Sequence, residues 1–119
     1  MPYTVTKTTN YPHTPEIVYA AAKGAIEGLE GKLTQESPDQ FKLVVKFSKT
    51  ILGKVLGDRA WMQLEITAGE NGSSDLTLTA YPLNAVGEKL MFGARSGALK
   101  TLVSWFYAHL QHRLPKTEG

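Results

Sequence analysis

His109 and His112 stand three residues apart near the end of the chain, a spacing that puts two imidazoles on one helix face and could begin a zinc site. A third ligand would have to come from His13 or a distant carboxylate. The pair is only a fragment of a zinc signature, so no metal is expected. Upstream, Arg95-Ser96-Gly97 leads into the last helical pattern, with Lys100 one turn in. Free main-chain N–H groups, the positive end of a helix dipole and two cations could there hold a phosphate or carboxylate. Arg95, Ser96, Gly97 and Lys100 are therefore the candidate anion site, against the competing reading of Ser96 as an ordinary N-cap. The segment GKVLGD lacks the Lys-Ser/Thr ending of a phosphate-binding loop.

Catalysis has less to build on. Glu65, Glu70, Asp75 and Glu88 form no recognisable acid–base pair, and the serines fall in turns and caps without a nucleophile elbow. Asp58-Arg59, just before Trp61, reads as a surface ion pair. No catalytic residue and no cofactor is assigned, which favours binding over catalysis.

Two connecting segments are more apolar than loops require: Thr50 to Gly57 and Pro82 to Gly97. Both mix large apolar residues with glycine, as flaps over a pocket do, or as pieces of core and strand do. The flap reading gives a ligand site lined by Phe47, Met62, Leu64, Leu78, Met91, Phe92 and Phe106. Trp61 alternates away from Met62, Leu64 and Ile66, and Tyr81 shares its parity, so both belong on an open sheet face or beside a gap. Aromatic residues are enriched at contact surfaces, so this pair supports the alternative function, a protein–protein module that forms a homodimer.

The elements that must position these residues follow from periodicity. Tyr3 to Thr9 is a β-branched, aromatic run. Thr14-Pro15-Glu16 opens a helix in which Ile17, Ala21, Ala25 and Leu29 recur at helical spacing, Gly31 ends it, and alanines with Gly24 let it lie close to a sheet. Lys32 to Ser37 and Gln40 to Ser48 form a hairpin around Pro38-Asp39, with Phe41, Leu43, Val45 and Phe47 facing one way. Arg59 to Thr67 and Asp75 to Tyr81 form a second hairpin about Asn71-Gly72, and Lys89 to Phe92 suggests a short edge strand. From Arg95 to Leu114 runs the longest amphipathic helix, with Leu99, Leu102, Val103, Phe106, Leu110 and Leu114 as its apolar stripe. The fold class is α+β: an antiparallel sheet of about five strands in the order β-α-β4-α, with two helices on one face.

This layout, a strand, a helix after Thr14-Pro15-Glu16, hairpins and a long closing helix with Trp105-Phe106-Tyr107, resembles the TBP-like folds and the helix-grip proteins (Bet v 1-like, START and polyketide-cyclase-like domains). The resemblance implies a small hydrophobic or lipid-like ligand held between sheet and closing helix.

Length and composition agree. A chain of 119 residues makes one domain (1–119, with 115–119 expected to fray), and 42% hydrophobic with 20% charged residues is a globular balance rather than a disordered one. A net charge of +2, with dispersed Lys and Arg, disfavours nucleic acid, although Lys7, Lys42, Lys46 and Arg59 share a sheet face in this reading. The absence of cysteine excludes disulfides, and the N-terminus has no signal-peptide pattern and no apolar run long enough to cross a bilayer. A cytoplasmic location is expected.

Overall fold

The computed structural model describes residues 4–84, 86–90 and 97–115. Its elements are β1 (Val5–Tyr11), α1 (Pro15–Gly28), β2 (Lys32–Ser37), β3 (Lys42–Phe47), β4 (Thr50–Ile51), β5 (Lys54–Val55), β6 (Arg59–Ala68), β7 (Ser74–Leu83) and α2 (Ala98–Arg113). Five strands form one antiparallel sheet in the order β1-β7-β6-β3-β2, and β4-β5 is a separate small hairpin. This is the expected α+β fold.

Alternation along the long central hairpin builds the core. Ala60, Met62, Leu64 and Ile66 of β6 pair with Pro82, Ala80, Leu78 and Leu76 of β7, and all of these are buried on the helix-covered face. Leu43, Val45 and Phe47 extend the layer across β3. Onto it α1 brings Val18, Ala22, Ala25 and Ile26, and α2 brings Leu102, Val103, Phe106 and Leu110, one stripe from each amphipathic helix. Ser74 is the buried polar member, and its hydroxyl donates to the His13 carbonyl at 2.6 Å, tying the β1–α1 turn to β7.

Several local expectations are corrected. Thr14 is the N-cap of α1, but its side chain makes no capping bond. Gly24 does not face the sheet: a Cβ there, or at Gly28, would meet the Arg113 side chain of α2, so the glycines make a notch between the helices. The end of α1 is made by Glu30 in left-handed backbone (φ 64°), with the Gly31 N–H bonded to the Ile26 carbonyl. Gly31 is required for another reason, since a Cβ would lie 2.7 Å from both Phe47 and Val45. Phe41 turns the chain before β3 in left-handed backbone (φ 52°) and packs edge-on against Tyr19 rather than joining Leu43 in the strand. The N-cap of α2 is Gly97 (φ 80°), not Ser96, because the helix begins one residue later.

Candidate functional site

The two apolar connections meet at one end of the sheet, beside the start of α2. The first is a hairpin. Leu52 (φ 53°) and Gly53 (φ 79°) make a two-residue turn with both residues left-handed, which joins β4 to β5 as a tight hairpin. Ile51 is buried, while Leu52 and Val55 face solvent. Its tip is tethered to α1, the Leu52 N–H donating to Glu30 Oε1 at 2.8 Å, and the Leu56 and Gly57 N–H groups both bond to the Lys49 carbonyl. The second connection opens with an asparagine turn in which Asn84 Oδ1 accepts from the Val86 and Glu88 N–H groups. The chain then runs back along β7, with a Leu83–Lys89 bridge and the Leu90 N–H bonded to the Pro82 carbonyl. This is the start of the expected edge strand, whose Met91 and Phe92 lie outside the described residues.

Between these connections lies a cavity of about 290 Å³, lined by Lys49, Gly57, Asp58, Arg59, Leu83, Asn84 and Leu90. Asp58 and Arg59 also border a slot of about 10 Å³ between sheet and α2, otherwise walled by Leu56, Ala60, Pro82, Ala98, Leu99 and Leu102. The slot has room for about one water-sized probe, and the larger cavity is at the lower bound for a small-ligand site. Together they make a mouth bordered by Lys49, Arg59 and the Asp58 carboxylate, with an apolar throat inside.

Of the expected ligand residues, Phe47, Met62, Leu64, Leu78 and Phe106 come together in one buried cluster, each at most 2% exposed, so they form packed core behind the throat. Of the throat residues, Leu99 and Leu102 belong to the expected helix stripe and Leu56 and Pro82 to the apolar connections, but nothing in the spacing joins them into one site. A signal for them existed in the small residues at core-facing parity, Ala60 at the start of β6 and Ala98 at the start of α2, since small residues facing each other leave space. Of the expected anion site, Arg95 and Ser96 lie outside the described residues. Gly97 caps α2 at the mouth, whereas Lys100 turns to the β1 side and lines a different cavity of about 330 Å³ with Val5, Lys7, Val103, Ser104 and Tyr107.

Trp61 and Tyr81 are cross-strand partners on the open sheet face, stacked with ring centroids 4.7 Å apart and planes 16° from parallel. Lys89 Nζ lies over the Tyr81 ring at 5.0 Å, so the stack clamps the second connection to the sheet. Among the described residues no group of three His, Asp or Glu side chains could hold a metal, and His109 instead meets Arg113, whose Nη1 donates to the His109 carbonyl at 3.2 Å. At the opposite end from the mouth, burial pushes the Tyr11 phenol up to about 12, with the neighbouring Tyr107 adding to the rise, and burial raises Tyr107 likewise. The Thr9 hydroxyl lies near enough to lower both slightly without making a hydrogen bond of standard geometry.

No protein-family model matches the chain, nor does any curated protein. Solved structures do match in shape. CV1439 from Chromobacterium violaceum is 10% identical with a TM-score of 0.61 over 98% of this chain and 100% of that one. Ara h 8.0201, a Bet v 1-like protein, is 8% identical at 0.59 over 93% and 97%. An HSP90 activator from Plasmodium falciparum is 13% identical at 0.58 over 92% and 91%. Identities this low carry fold and nothing finer. No helix among the described residues is long and apolar enough to cross a membrane. What the likeness shows is a helix-grip, Bet v 1-like fold spanning almost the whole chain.

Proposed function

We propose that the protein binds a small amphiphilic molecule at the mouth, its apolar part entering between sheet and α2 towards Met62, Leu78 and Phe106, its anionic end held by Lys49 and Arg59. The observation that carries the reading is the meeting of an apolar throat with a polar cavity bordered by Lys49, Asp58 and Arg59 between two turn-built connections. The throat is narrow, so the ligand would part α2 from the sheet on entry.

A thermal-shift series of saturated fatty acids against the matching alcohols tests this. A carboxylate bound at one hundred times its Kd stabilises the native state by about 2.7 kcal/mol, several degrees in melting temperature. Ala98→Leu, which fills the throat, should abolish the shift, and Lys49→Ala with Arg59→Ala should reduce it for acids but not for alcohols. A flat response across all chain lengths, or one indifferent to Ala98→Leu, removes the proposal.

The alternative, a homodimer through the open face, rests on the Trp61–Tyr81 stack. It is the weaker reading because Tyr81 is covered by Trp61 on one side and Lys89 on the other, and Lys32, Lys42 and Lys46 share that face. Light scattering at high concentration should give a monomer; a dimer lost in Trp61→Ala would replace the first reading with this one.

A further inference from the structure

Charge is distributed unevenly along this chain. Residues 1–15 and 89–117 contain Lys7, Lys89, Arg95, Lys100, Arg113, Lys116 and all 3 histidines, and no Asp or Glu. The fold brings β1 of the first segment together with α2 of the second. Lys7 Nζ sits over the Tyr107 ring of α2 at 4.9 Å, and Lys7 and Lys100 share the 330 Å³ cavity walled by Val5, Val103 and Tyr107. Further along the same seam, His13 and His112 line a groove of about 730 Å³ with Tyr11, Gln111 and Leu114.

The strand along this seam is also an edge. β1 pairs with β7 through seven consecutive residues, and among the described residues no further strand lies beyond it. An edge strand offers a row of main-chain donors and acceptors to another chain unless it is blunted. The opposite edge is blunted: β2 carries a bulge between Leu33 and Gln35, and its Glu36 is ion-paired to Lys23 at 2.7 Å. β1 has no bulge.

We infer that the β1 edge accepts an extended acidic peptide as a sixth strand, with an acidic side chain of that peptide seated between Lys7 and Lys100. Main-chain pairing gives the register and affinity, and the Lys7–Lys100 pair on the helix-covered side, away from Asp75 at the Asn10 end of the strand, selects the charge. A second copy of this chain fits poorly. Two β1 strands would each bring Lys7 and no Asp or Glu to the junction. A flat anionic membrane would neither enter the groove nor pair with the edge.

The test uses the full chain and a capped seven-residue peptide alternating glutamate with valine, compared with its lysine–valine counterpart. The glutamate peptide should bind and slow amide hydrogen exchange in Val5–Tyr11 but not in β2. The double variant Lys7→Glu, Lys100→Glu should weaken that binding on the order of tenfold, the size expected for two exposed charge pairs turned repulsive, and should gain affinity for the lysine peptide. Lys100→Ala, on the exposed side of α2, serves as the milder variant should the double one fold poorly. Equal binding of both peptides, binding without protection of β1, no binding, or retention only on phosphatidylserine vesicles would each overturn the inference.

Discussion

Tyr11 illustrates how a single group feels the fold. Its phenol is buried at the end of β1, which pushes its pKa up from the ordinary 10 to about 12, and burial raises Tyr107 in the same direction. A raised pKa means the folded state holds the proton more tightly, so this stability is intact below pH 10 and is lost as pH climbs from 10 towards 12. Chemical denaturation of the wild type should therefore show stability falling by up to about 2 to 3 kcal/mol across that interval, with part of the fall absent in Tyr11→Phe. An identical slope in the variant would assign the alkaline loss elsewhere. The sequence did not announce this residue. Tyr11 reads as a strand stop beside Pro12, and only the return of α2 past the end of β1 buries it. Lys100 teaches the same lesson: its place in the first turn of α2 is legible from spacing, but which neighbour it meets depends on the rotation of the helix on the sheet.

At the scale of elements, the sequence was a better guide. Period-two alternation in β3, β6 and β7 and the α2 stripe from Leu99 to Leu114 identify the sheet, its buried face and the closing helix. What alternation does not convey is contact between elements, and the glycines show this. Gly28 and Gly31 look equivalent at the end of α1 but abut different neighbours. A Cβ at Gly28 meets the tip of the Arg113 side chain at 2.6 Å, which can swing aside, while at Gly31 it meets Phe47 and Val45 inside the core at 2.7 Å. Gly28→Ala should thus leave stability within about 0.5 kcal/mol of wild type, helped by the better helix propensity of alanine. Gly31→Ala should cost about 1 to 3 kcal/mol as an overpacking change. Urea unfolding of the two variants side by side decides this, and equal costs would show that the close approach at Gly31 relaxes freely. The β4–β5 hairpin was hidden for a different reason: Leu52 takes a left-handed turn position normally filled by Asn or Gly, so its turn has no residue signature.

For the whole molecule, the two ends of the helix layer differ. At its C-terminal end α2 is held by Arg113 capping the His109 carbonyl and by the buried Leu114, and beside it Ser74 secures the β1–α1 turn. At its N-terminal end Gly97 supplies no side-chain cap, and the throat lies directly beneath Ala98 and Leu102. Opening for a ligand should begin at that end. Native-state hydrogen exchange should find the amides of Leu102 and Val103 less protected than those of Leu110 and Gln111, with β6 and β7 slowest. Uniform protection along α2 would mean that the helix moves as one body and that entry at the mouth needs a larger rearrangement.

The pairing of β1 with β7 has a consequence for the order of assembly. The strands β2, β3, β6 and β7 follow one another as hairpins and meet neighbours close by in the chain, but Thr8 lies opposite Thr77, a partner made 69 residues later. Closing so long a loop costs chain entropy before any contact repays it. During synthesis β1 therefore has no strand to pair with until β7 exists. Its docking waits on the whole stretch of domain that separates it from β7.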